Sequence, residues 1–62
     1  MNESRRSELF QLARIVVGFI ILNERSQYNE IIKAVNSLEE PEKAFFYETT
    51  AAEMRIFGLG RN

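Results

Sequence analysis

The chain has 62 residues, of which 45% are apolar, and its formal net charge is −1. Cysteine and histidine are both absent, which excludes a disulfide framework, a thiol nucleophile, an imidazole base and a zinc site of the usual kind. A domain this small buries only roughly 60% of its unfolded surface and usually needs disulfides, a metal ion or oligomerisation, of which only oligomerisation is left. The composition predicts a protein that is not an enzyme and has no cofactor, metal ion or small-molecule substrate.

The pattern of apolar residues predicts an all-α fold, a small bundle of three helices completed by homodimerisation. The predicted helices lie at about residues 3–22, 27–38 and 41–57. Residues 1–62 are interpreted as a single helical domain in which residues 58–62 form a frayed tail.

Local signals mark the ends of the predicted helices. Asn23 is a plausible stop for the first helix, and Ser26 can cap the second by accepting from a backbone N–H two or three residues on. Pro41 suits the first position of the third helix, where its missing N–H costs nothing. Gly58 suits the left-handed residue that ends a helix.

The apolar run at residues 15–22 could also form a buried strand, because β-branched residues favour strands. A helix is favoured, since residues 7–14 lead into the run with helical spacing and no second strand is available to pair with it. The run is too short to cross a membrane, which needs roughly 20 apolar residues. We expect a cytoplasmic protein that does not bind membranes.

On a helical wheel, the apolar residues of the first helix cover roughly 260° of its circumference. Two short partner helices can cover only about half of such a helix, so we expect a second copy of the chain to cover the rest. Gly18 would let another backbone approach closely, although helices also tolerate a glycine without such a contact. The predicted homodimer interface consists of Phe10, Val17, Gly18 and Ile21.

The second helix has a single apolar face, which is typical of a surface helix that covers a core. Its members are Tyr28, Ile31, Ile32, Val35 and Leu38.

The third helix has two apolar stripes. The first is expected to fit the intrachain core and consists of Phe45, Thr49, Ala52 and Ile56. The second is a candidate partner-binding stripe, since aromatic residues and methionine are enriched in interfaces. It consists of Phe46, Tyr47, Thr50, Met54 and Phe57. The alternative is that the second stripe belongs to the homodimer interface or packs around the long first helix.

Catalytic and nucleic-acid functions find little support in the charged residues. Glu48 and Glu53 point about 140° apart on a helix, so they do not form an acid–base pair. Arg5, Arg6 and Arg14 are candidate phosphate contacts if a dimer brings them together. Solvated helix ends are the favoured interpretation, because the net charge is negative and no aromatic residues alternate with the arginines.

The spacing from Ile31-Ile32 to Phe46-Tyr47, with the segment at residues 42–47, loosely resembles the Hha/YmoA family of small helical bacterial regulators. The resemblance covers about a quarter of the chain. It implies a protein that contacts the helical dimerisation region of a nucleoid-associated DNA-binding protein. Residues 48–51 read Glu-Thr-Thr-Ala, where that family has small residues followed by an acidic residue that contacts the partner.

We therefore expect a non-enzymatic regulator, an adaptor or inhibitor of a bacterial or phage partner protein that acts through apolar helical surfaces. One alternative is a nucleic-acid-associated regulator or modulator of transcription. Another is a structural subunit of a larger assembly.

Overall fold

The computed structural model describes residues 1–58, which contain three α-helices and no strand. The helices are α1 (Glu3–Ile21), α2 (Arg25–Val35) and α3 (Glu40–Ile56). The predicted all-α fold is confirmed. The strand alternative for residues 15–22 is wrong, because α1 runs to Ile21. Most of the predicted tail, residues 59–62, lies outside the described part of the chain.

Hydrogen bonds at both ends explain the length of α1. The side-chain oxygen of Asn2 accepts from the backbone N–H of Arg5 at 2.8 Å, which caps the amino terminus. At the other end Asn23 adopts a left-handed conformation, with φ of 59°. The N–H of Glu24 donates to the carbonyl of Phe19 at 2.8 Å, and that of Asn23 donates to the carbonyl of Ile20 at 3.1 Å. This pair of bonds is a Schellman motif, which stops α1 where the sequence predicted a stop.

The bounds of the other two helices differ slightly from the prediction. Ser26 is not a cap, because α2 starts at Arg25 and its N-cap residue Glu24 makes no side-chain hydrogen bond. Pro41 occupies the first turn of α3 as its second residue. Gly58 adopts the predicted left-handed conformation, with φ of 77°, and its N–H donates to the carbonyl of Arg55 at 3.0 Å.

The core lies where α1 contacts both other helices, whereas α2 and α3 contact each other little. Ion pairs join Arg5 to Glu42 and Arg14 to Glu53, so α1 and α3 are parallel neighbours, and α2 packs mainly against α1. A cluster of fully buried side chains from all three helices forms the core: Leu9, Ala13, Val16, Val35 and Phe46.

The structure corrects which stripe of α3 packs inside the chain. Phe46 has no exposed surface and Thr50 is buried, although both belong to the predicted partner-binding stripe. In the stripe predicted for the core, Phe45 is half-buried and Ile56 is 73% exposed. Phe46 and Thr50 follow the alternative considered above, in which the second stripe packs around the long first helix. Glu53 lies on the same side of α3 and pairs there with Arg14 of α1.

Truncating Phe46 is expected to be far more costly than truncating Phe57. Phe46→Ala removes a fully buried ring and should lower the free energy of unfolding by about 3–5 kcal/mol. Phe57→Ala, at a site that is 54% exposed, should cost about 1 kcal/mol or less. Urea unfolding followed by circular dichroism measures both changes. Equal losses would contradict the packing of α3 described here.

Candidate protein-interaction surfaces

The first candidate surface is formed jointly by α1 and α3. The guanidinium carbon of Arg6 lies 5.6 Å from the ring centroid of Phe45, and Nε of Arg14 lies 3.4 Å from Oε1 of Glu53. In both contacts residue n of α1 meets residue n + 39 of α3. The same register places Thr49 next to Phe10, on the side of α1 that faces away from α2.

Apolar residues on this side stay accessible to solvent. Ile21 is 50% exposed and Phe10 is 38% exposed. Phe45 and Ile56 are eleven residues apart, as are Phe10 and Ile21, so each pair shares one side of its helix. We call this surface the α1–α3 face; its members are Phe10, Arg14, Ile21, Phe45, Thr49, Ala52 and Ile56.

The predicted homodimer residues divide between the α1–α3 face and the core. Phe10 and Ile21 lie on the face, whereas Val17 is buried within the chain. Gly18 lies beside the face, one turn after Arg14. A Cβ atom added at Gly18 would meet no heavy atom within 4 Å, so packing within the chain does not require a glycine there. A glycine inside a helix is about 1 kcal/mol less stable than an alanine there. No close contact within the described part of the chain explains why this position is a glycine.

The second candidate surface is a groove between α2 and α3. At one end the hydroxyl of Tyr47 donates to Oδ1 of Asn36 at 2.8 Å and holds the two helices together. Near the start of α2, Met54 of α3 borders a pocket of about 320 Å³. The pocket is lined by Phe19, Ile20, Asn23, Glu24, Arg25, Tyr28 and Met54. We call this surface the α2–α3 groove.

Only part of the predicted partner-binding stripe borders this groove. Tyr47 lies at its closed end and Met54 lines its pocket. Phe46 and Thr50 lie in the core instead, where the hydroxyl of Thr50 donates to the carbonyl of Phe46 at 2.8 Å. Phe57 follows the last turn of α3 and is exposed.

A further pocket of about 340 Å³ lies between the start of α1 and the end of α2. Its charged lining residues Arg5 and Glu8 form an ion pair with each other, at 3.3 Å between Nη1 and Oε1. The rest of its lining is apolar and includes Leu9, Leu12 and Leu38, so this pocket is no more polar than the one that Met54 lines.

The three candidate phosphate contacts all interact with other residues of the chain. Nε of Arg5 donates to Oε2 of Glu42 at 2.8 Å, Arg6 lies over the ring of Phe45, and Arg14 pairs with Glu53. Arg14 is also about 12 Å further along α1 than Arg6. The structure does not bring the three guanidinium groups together.

The contact between Arg5 and Glu42 also shifts the ionisation of both groups. A second hydrogen bond, from Nη2 of Arg5 to Oε1 of Glu42 at 3.4 Å, makes the contact bidentate. The hydrogen bonding from Arg5 lowers the pKa of Glu42 below its ordinary value of 4.5. The same bond raises the pKa of Arg5. Each charge therefore stabilises the other across the first turns of α1 and α3.

Residues 1–58 contain no group of three acidic, histidine or cysteine side chains that could hold a metal ion. None of the helices described is long and apolar enough to cross a membrane. No protein-family model, curated protein or solved structure matches the chain. The interpretation of its surfaces therefore depends on their geometry.

Sequence reasoning missed the residues that line the pocket of the α2–α3 groove, apart from Met54. Phe19, Ile20 and Tyr28 look like ordinary core residues on a helical wheel. The detectable signal was the turn at residues 22–24, which ends α1 and starts α2 close to these side chains.

We expect the stabilising effect of Glu42 to disappear in acid. Because folding lowers its pKa, the stabilisation is complete above 4.5 and is lost as the pH falls through the lower, folded value. The difference in Tm between the wild type and Glu42→Gln should therefore be largest at about pH 6 and shrink at about pH 3. Thermal unfolding at both pH values measures the difference. A Tm difference between the wild type and Glu42→Gln that is as large at about pH 3 as at about pH 6 would contradict the prediction. Glu48→Gln, which changes an exposed glutamate on the same helix, is the control.

Proposed function

We propose that the protein is a non-enzymatic adaptor or inhibitor that binds a partner protein through the α2–α3 groove. The observation that supports this proposal best is the pocket near the start of α2, in which Phe19, Tyr28 and Met54 lie beside polar and charged residues. Pockets of about this volume accept compact apolar groups, and a single buried anchor side chain often dominates the binding energy of an interface.

Parts of all three helices line this pocket. Phe19 and Ile20 come from α1, Tyr28 from α2 and Met54 from α3. Methionine adapts its shape to the group that it contacts, because its side chain is unbranched and polarizable. Glu24 and Arg25 at the rim offer polar contacts around an apolar anchor.

We propose that the working unit is a homodimer. Within residues 1–58 only six apolar side chains are fully buried, which is a small core for a stable domain. Association with a second copy would add buried apolar surface without a disulfide or a metal ion.

The structure gives no specific support to a nucleic-acid function. Arg5, Arg6 and Arg14 contact Glu42, Phe45 and Glu53 rather than forming one free cluster. A phosphate backbone would have to compete with these contacts. The experiment below includes this alternative as one of its outcomes.

The proposal is tested by affinity capture with three immobilised proteins: the wild type, Met54→Gln and the control Ile15→Gln. Ile15 is an exposed residue outside the groove. Nuclease-treated extract of the source organism should yield a protein that the wild type and the control retain and Met54→Gln loses. Circular dichroism checks that all three have the same helical content.

Titration of the captured protein, once purified, identifies the contact site. The chain has two methionines, Met1 and Met54, so methyl labelling gives two NMR signals. Binding in the groove should shift the Met54 signal more than that of Met1. Equal capture by Met54→Gln, or capture abolished by nuclease, would contradict the proposal.

A further inference from the structure

We infer that a second copy of this chain covers the α1–α3 face about a two-fold axis, so that the dimer carries two outward-facing α2–α3 grooves. The inference specifies the interface of the proposed homodimer. The idea that the dimer binds a partner at two sites rests on the proposed function of the groove. The interface itself is argued from the composition, charge and position of the face.

The face supplies a large part of the apolar surface that a dimer interface needs. The exposed parts of Phe10, Ile21 and Ile56 amount to roughly 300 Å². A standard interface buries about 800 Å² on each partner, of which roughly 60% is apolar. Exposed apolar side chains of α1 and α3 therefore supply most of the required apolar area.

The charges of the face are compatible with a second copy. Arg14 and Glu53 form a neutral pair near the middle of the face, with Arg14 exposed and Glu53 mostly buried. Two such pairs related by a two-fold axis can meet with Arg14 of one copy near Glu53 of the other. Arginine has five N–H donors, and the contact with Glu53 uses Nε. The remaining donors of Arg14 are available to acceptors of the second copy.

Gly18 supports a close approach at the edge of this face. It lies one turn after Arg14 and nearly one turn before Ile21, and its Cβ position is open. A backbone from a second copy can approach a glycine more closely than any other residue. This contact would explain a helix glycine that the single chain does not need.

The topology explains why a second copy suits this face. α1 and α3 are parallel neighbours, so packing two such faces against each other gives a four-helix bundle, which is a common helical architecture. Two-fold dimers are also the commonest oligomers. Met54 and Ile56 point about 160° apart around α3, so the groove stays open when the face is covered. The dimer therefore presents one free groove on each outer side.

Sedimentation equilibrium of the full chain tests the interface. We expect the wild type to have twice the mass of the 7.2 kDa chain at about 50 µM. Ile21→Glu and Ile56→Glu each place a charge in the interface and should raise the dimer Kd by at least about 100-fold. Ile15→Glu is the matched control, because Ile15 is 49% exposed, against 50% for Ile21, and points about 120° away around α1. Its Kd should stay within about threefold of the wild type.

Circular dichroism must show unchanged helical content for each variant, since all three sites are exposed. A wild type that remains monomeric at about 200 µM would overturn the inference. The inference would also be overturned if Ile15→Glu raised the dimer Kd as much as Ile21→Glu does. Failure of the interface and failure of the groove are distinguishable. If the protein is monomeric but still captures a partner through Met54, only the inferred dimer is wrong. If the protein is a dimer but captures no partner, only the proposed function is wrong.

Discussion

The ion pair between Arg14 and Glu53 joins the middle of α1 to the last turns of α3, and the pair between Arg5 and Glu42 joins their first turns. Together these contacts decide which sides of the two helices meet and how far along each other they lie. Glu53 could not face the core without Arg14, because a carboxylate that loses water needs a partner. Phe46 lies on the same side of α3 and is fully buried in the core.

The same packing creates both candidate surfaces. Turning Phe46 toward α1 leaves one flank of α3, which includes Ile56, beside the exposed flank of α1. The other flank, which includes Met54, faces α2 across the groove. Within residues 1–58, a hydrogen bond between Asn36 and Tyr47 joins the carboxyl end of α2 to α3, and the two helices otherwise contact each other little. A single helix, α3, thus separates two surfaces of different character.

Much of the fold was predictable from local sequence, because helix ends depend on nearby residues. Asn23 and Gly58 stop helices through their own backbone conformations. The choice between the two stripes of α3 was not predictable in this way. Both stripes contain aromatic residues at helical spacing, so the local sequence does not show which of them α1 covers. The contacts that distinguish them come from another helix, as in the pairing of Glu53 with Arg14, 39 positions earlier. Of the residues predicted for a homodimer interface, Phe10 and Ile21 are exposed, whereas Val17 belongs to the core.

The sparse contact between α2 and α3 also has a consequence for motion. Parts of a protein with few buried contacts open at a lower free-energy cost than its core. α2 contributes Val35 to the core near its carboxyl end, while its first turns are held mainly by Tyr28. The amino-terminal half of α2 is therefore the part of the bundle that separates most readily, with the hydrogen bond between Tyr47 and Asn36 as its hinge. Amide hydrogens there should exchange with solvent faster than those in the middle of α1, and the width of the groove varies with this opening.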